Sequence, residues 1–113
     1  MKKYQKLLSD KVLKVDGITE RMKRNYSEQY WYGDYFLKTF IDIDNFSGKK
    51  ILEVGCSAAG LLRFFDEKGA NCWGVDVSKP LIDIAKILND DTQLKLYHGD
   101  ICNDLFLKNF EKE

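Results

Sequence analysis

Residues 50–62, Lys50-Ile51-Leu52-Glu53-Val54-Gly55-Cys56-Ser57-Ala58-Ala59-Gly60-Leu61-Leu62, decide how this chain folds. An apolar run (Ile51, Leu52, Val54) stops at residues with little or no side chain (Gly55, Ser57, Ala58, Ala59, Gly60). A helical pattern then starts at once with Leu61, Leu62, Phe64 and Phe65. A strand that ends in such a turn and feeds directly into a helix lets a ligand approach the backbone closely. It also aims the free N–H groups of the helix start at that ligand.

The strand covers Lys50–Val54, and its successive apolar positions predict burial on both faces, as in a parallel sheet. A helix over Ala58–Lys68 follows, stopped by Gly69 in a left-handed cap. A second strand is expected over Asn71–Val75. Ser78 is placed to cap a helix with Pro80 in its first turn, using Leu81, Ile84, Ala85 and Leu88 as the inward face. Asn89-Asp90-Asp91 turns the chain into a third strand, Leu94–His98. Ahead of these lie helical patterns over residues 3–15, ended by Gly17, over Thr19–Glu28, and over Asp34–Ile43, and Ser47-Gly48 forms a turn. The order is helices, then β-α-β-α-β, which means an α/β fold with a parallel sheet. The expected organisation is a helical segment over 1–47 and a sheet-forming unit over 48–113.

The chain has 113 residues, enough for one domain that buries roughly two thirds of its unfolded surface. Its longest apolar run falls well short of the ~20 residues of a membrane helix, and no apolar signal segment follows the Lys-rich start. Three cysteines (Cys56, Cys72, Cys102) are odd in number and spaced unlike a disulfide framework or a zinc site. With a single histidine, no metal centre is expected. Reduced thiols in a cytoplasmic protein are the simpler reading. Net charge is zero, but residues 1–24 carry eight Lys or Arg against three acids. Such a segment suits nucleic acid or an acidic partner, and more often forms the solvated face of a helix, the reading adopted here.

Three acids fall where the strands end, and in a parallel sheet those ends share one edge, where ligands of open α/β sheets bind. They are Glu53 before the glycine turn, Asp76 after Trp73-Gly74-Val75, and Asp100 after Tyr97-His98-Gly99. An acid closing the second strand is placed to accept both hydroxyls of a ribose. An acid closing the third is placed to accept from an exocyclic amine such as that of adenine. Three carboxylates around one pocket repel a polyphosphate, yet they suit a ligand carrying an ammonium and a sulfonium.

In these residues the chain resembles the class I S-adenosylmethionine-dependent methyltransferases, which have a Rossmann-like fold. ILEVGCSAAG is similar to the family's first motif, GVDVS to its second and YHGDI to its third, in the family's order and spacing over about residues 48–102. The resemblance implies S-adenosyl-L-methionine as cofactor. It puts Glu53 near the methionine amino group, and the backbone of Gly55, Cys56, Ser57 and Ala58 against the methionyl part. Asp76 would bind the ribose hydroxyls, Val77 would lie beside the adenine, Asp100 would accept from its amine, and the Ile101 N–H would reach a ring nitrogen. No catalytic residue is implied, and the methyl acceptor is undefined. The family often has glycine where Ser57 and Ala59 stand. Serine and alanine fit if the backbone there keeps φ negative, with Gly60 supplying a close helix–strand contact.

The family's sheet usually has seven strands, with later strands beside the first carrying much of the acceptor site. This chain stops about where a fourth would begin, so it is expected to be the cofactor half of a longer enzyme, with the first strand's open edge a site of self-association. Two other functions remain open. One is a nicotinamide dinucleotide oxidoreductase, since Gly55-x-Ser57-x-x-Gly60 is one substitution from GxGxxG. The other is a non-catalytic module that keeps the fold. A serine-hydrolase elbow is rejected, because the final glycine of G-x-S-x-G is absent.

Each singled-out residue also has a plainer reading. Glu53 could be a solvated acid, Asp76 a helix-initiating acid and Asp100 a turn former. Cys56 reads as a small loop residue, because nothing nearby in sequence would lower its pKa. His98, the lone general base by type, reads as structural. The aromatic cluster Tyr26, Tyr30, Trp31, Tyr32 and Tyr35 reads as packing of the leading helices, with Tyr26 and Trp31 as candidates for a lid.

Overall fold

The computed structural model describes residues 19–36 and 46–110. The helix expected over 3–15 and most of the one expected over Asp34–Ile43 lie outside them. Helix α1 spans Glu20–Trp31, started by the Thr19 hydroxyl, which accepts from Met22 N at 3.1 Å. It continues through a π-helical turn, Tyr32–Phe36, rather than ending at Glu28. Strand β1 (Lys50–Val54) leads into α2 (Gly60–Glu67), then β2 (Asn71–Asp76), α3 (Lys79–Leu88), β3 (Lys95–His98) and α4 (Asp104–Phe110).

The strands form one parallel sheet in the order β1-β2-β3, with Glu53 opposite Gly74 and Asp76 opposite His98. The punctuation expected between them is present. Gly69 takes φ +86° after α2, and the Ser78 hydroxyl accepts from Leu81 N at the start of α3. The result is the open α/β sheet the alternation implies.

The core lies on one side of this sheet. Leu62 and Phe65 of α2, Ile82, Ala85 and Leu88 of α3, Cys72 of β2 and Leu96 of β3 are buried together. Tyr26 and Tyr30 of α1 join the same cluster, so α1 packs across α2. On α3 the deepest residues are Ile82, Ala85 and Leu88, so the buried stripe includes Ile82, which the inward face read from sequence omitted.

One further expectation needs correction, and one element was not foreseen. Strand β1 is not buried on both faces: Leu52 is 46% exposed and Val54 57%. Among the described residues β2 is its one strand neighbour. Residues 104–110, unassigned from sequence, form α4. Its start is capped by Asn103, whose Oδ1 accepts from Phe106 N at 3.0 Å. Helix α4 lies on the second face of the sheet, with Phe110 edge-on to Tyr97 at 5.7 Å. Beside it is a groove of about 430 Å³ lined by Ile51, Leu52, Trp73, Ile101 and Phe110.

Candidate functional site

The turn after β1 is tied to the neighbouring strand before it turns. Gly55 N and Cys56 N both donate to Val75 O, at 2.7 and 3.1 Å. The chain then passes through Ser57 at φ +53° and Ala59 at φ +66°. The left-handed region costs an L-residue roughly 1–2 kcal/mol, so the expectation of negative φ at these two positions fails. Each strained residue is held by a hydrogen bond from outside itself. Ser57 N donates to Asp76 Oδ2 at 2.9 Å, and Ala59 N donates to Cys56 O at 2.9 Å.

Gly60 also departs from expectation. A Cβ there would lie 2.2 Å from the backbone oxygen of Tyr26, so its close contact is with helix α1 rather than with a strand. Its N–H, the first of α2, donates to Gln29 Oε1 at 3.2 Å. One of the helix-start donors that sequence reasoning aimed at a ligand is therefore taken by a side chain of α1.

The acids at the strand ends differ in their surroundings. Glu53 is half-buried; burial first, then the charge of Asp76, raise its pKa from 4.5 to about 7. Its Oε1 is buried with no hydrogen-bond partner. Asp76 is fully engaged on its protein side, with Oδ2 accepting from Ser57 N and Oδ1 accepting from Ser78 N at 2.8 Å. Its own carbonyl accepts from Gly99 N at 3.0 Å, so Asp76 joins the loops after all three strands. Its plainer reading as a helix-initiating acid thus holds beside any ligand role. Asp100 Oδ1 accepts from Cys102 N at 2.9 Å, the turn-forming geometry its sequence context allows.

The other singled-out residues separate into exposed and buried ones. Val77 is 69% exposed at the same edge, and its carbonyl lies 3.2 Å from His98 Nε2, so His98 has a structural partner. Ile101 follows Asp100 and its side chain lines the groove on the second face. Cys56 and Ala58 are buried, forming the floor of the turn and leaving Gly55 and Ser57 as its outward part. Burial, then the charges of Glu53 and Asp76, push the Cys56 thiol up to about 12, so it is no nucleophile. Tyr26 is fully buried and its hydroxyl donates to Asn89 Oδ1 at 2.9 Å, which removes it as a lid. Trp31 stacks on Tyr35 with ring centroids 4.8 Å apart.

Sequence reasoning missed Asn89 and Gln29. Asn89, read as a turn former, has Nδ2 donating to Ala58 O at 3.0 Å and to Ala85 O at 2.7 Å. Both residues act on the glycine turn from elements far away in sequence, and no local pattern marks them.

Residues 52–111, just over half of the chain, match the family model described as a methyltransferase domain. The ubiquinone biosynthesis O-methyltransferase of Hydrogenovibrio crunogenus is 36% identical over 64 residues, covering 56% of this chain and 25% of that protein. The mitochondrial ubiquinone biosynthesis O-methyltransferase of Schizosaccharomyces pombe is 33% identical over 75 residues, covering 60% and 27%. The chain thus matches about a quarter of the length of these curated relatives. Among solved structures, magnesium protoporphyrin IX methyltransferase from Synechocystis PCC 6803 with bound SAH superposes with a TM-score of 0.57 at 17% identity. That match covers 77% of this chain and 42% of that one, a likeness of fold. Three motifs on three consecutive parallel strands, together with the family match across them, decide the assignment: the chain belongs to the methyltransferase domain family.

Proposed function

We propose that this chain is the cofactor-binding half of an S-adenosylmethionine-dependent methyltransferase, with its ligand at the shared edge of β1, β2 and β3. The observation that carries this reading is Glu53 Oε1, an acceptor buried without a partner and close enough to feel the charge of Asp76. A buried acceptor left unsatisfied is costly, and an ammonium group supplies the hydrogen bond and the opposite charge together. A pyrophosphate beside the same two carboxylates would be repelled, which argues against the nicotinamide dinucleotide alternative.

In this reading Glu53 accepts from the amino group of the methionyl part, and the outward backbone of Gly55 and Ser57 lies against it. Asp76 holds Ser57 N and Ser78 N at that edge. A carboxylate has roughly four acceptor positions, so two remain for ribose hydroxyls. Val77, exposed at the edge, covers one side of the base, and Asp100 with the Ile101 N–H reads its polar rim. The bound cofactor supplies a methyl group already activated by its sulfonium. These residues orient it, and no side chain among them is assigned a proton transfer.

The methyl acceptor belongs to no class that these residues define. No helix among the described residues is long and apolar enough to cross a membrane. Free thiols at Cys56, Cys72 and Cys102 accord with a reducing compartment, and the cytoplasm is the compartment we propose. A second copy of the chain is a proposed partner along the open edge of β1.

Calorimetric titration of the chain with S-adenosylhomocysteine and with NAD tests the reading. Binding of the adenosyl ligand in preference to NAD is expected. Preference for NAD would overturn it in favour of an oxidoreductase, and a cooperatively folded chain that binds neither would be the non-catalytic module.

A further inference from the structure

We propose that Tyr26 and Asn89 form a positioning device that holds the turn between β1 and α2 in its left-handed conformation. Ser57 and Ala59 both sit at positive φ without being glycine. Such residues persist only where the surroundings over-determine them. Ala58 lies between the two, and its carbonyl is gripped by Asn89 Nδ2 at 3.0 Å. The other Nδ2 hydrogen goes to Ala85 O at 2.7 Å, and Oδ1 accepts from the Tyr26 hydroxyl at 2.9 Å. The amide is thereby fixed: rotating it by half a turn would set its oxygen against two carbonyl oxygens. Tyr26 is fully buried and Asn89 only 4% exposed, so water does not compete for these bonds.

The chain of contacts runs from α1 to the ligand edge through the backbone of the turn. Tyr26 and Asn89 are both buried, and their hydrogen bonds reach the turn at the Ala58 carbonyl. Helix α1 also presses its Tyr26 carbonyl against Gly60 and holds Gly60 N through Gln29. It thus fixes both ends of the Ala58–Gly60 segment. The consequence for affinity rests on the function proposed above, whereas the conformational claim does not.

The test uses the 113-residue chain with Tyr26→Phe, which removes one hydroxyl, and Asn89→Asp, which keeps the shape and removes both donors. Amide hydrogen exchange without ligand is the first readout. Exchange at Ser57 and Ala59 is expected to quicken about tenfold in either variant, with β2 amides little changed. S-adenosylhomocysteine affinity is expected to fall about fivefold in Tyr26→Phe, which loses one neutral hydrogen bond, and by more in Asn89→Asp, which loses two donors. Adding Ala59→Gly, which removes the left-handed strain, is expected to restore that affinity to within about twofold. Equal quickening of turn and sheet amides, no quickening at all, or failure of Ala59→Gly to rescue would each overturn the proposal. If the unaltered chain binds no adenosyl ligand, the proposed function fails, and the exchange data still decide whether Tyr26 and Asn89 hold the turn.

Discussion

Asp76 Oδ2 accepts the backbone N–H of Ser57 at 2.9 Å, although the two residues are nineteen apart in the chain. This bond makes Asp76 part of the scaffold as well as the ribose-binding group proposed above, and the same carboxylate holds Ser78 N at 2.8 Å. Asp76→Ala is therefore expected to do two things. Adenosyl affinity falls at least about tenfold, and unfolding free energy drops by about 1–3 kcal/mol as two backbone donors lose their acceptor. Asp76→Asn keeps one acceptor oxygen and should fall between. Titration calorimetry and urea denaturation read the two effects separately. Unchanged affinity in Asp76→Ala would mean that the ribose is held elsewhere.

Glu53 gives the site a pH dependence with a definite sign. Its pKa is raised to about 7 from 4.5 by burial and by Asp76. Between those values the folded chain keeps a proton that the unfolded chain has released. The contribution to stability is complete below the unfolded value and is lost as pH rises through about 7. Melting temperature should fall across this window, and Glu53→Gln should flatten the dependence. An ammonium-bearing ligand favours the ionised carboxylate, so binding should strengthen from about pH 6 to about pH 8 and do so much less in Glu53→Gln. A binding constant that is flat with pH in both proteins would remove Glu53 from the ligand contact.

Gly60 is required by space. The Tyr26 carbonyl would meet an added methyl at 2.2 Å, and that oxygen belongs to backbone that cannot swing aside. Gly60→Ala should therefore push α1 off α2 and destabilise the fold by about 1–3 kcal/mol. Ser57→Gly should do the opposite or nothing, since glycine takes the φ of +53° without strain. The urea midpoints of the two variants, measured against the parent, check both directions.

The contrast between these residues shows what the sequence carries. Lys50–Val54 was legible because its apolar run ends at glycine, and α3 because Ser78 and Pro80 mark its start. The three acids were legible because a parallel sheet brings strand ends to one edge whatever the loops do. The positive φ at Ser57 and Ala59 was not legible, since neither residue signals it by type. Asn89 and Gln29 were hidden for another reason: their partners Tyr26 and Gly60 lie 63 and 31 residues away. Helix α4 had a readable cap in Asn103, three residues ahead of Phe106, but at seven residues it is too short to show a helical period.

The open side of β1 carries the last prediction. Leu52 and Val54 expose 46% and 57% of their surface, and the apolar groove beside Trp73 and Phe110 continues from Leu52. An apolar edge strand with free backbone groups is a template for another chain. Sedimentation velocity should therefore show weight-average mass rising with concentration in the parent chain. Leu52→Lys should suppress that rise through charge repulsion without loss of melting temperature, because Leu52 lies outside the buried cluster. A parent chain that stays monomeric to high concentration would show that this edge does not pair, and equal association in Leu52→Lys would move the contact to another surface.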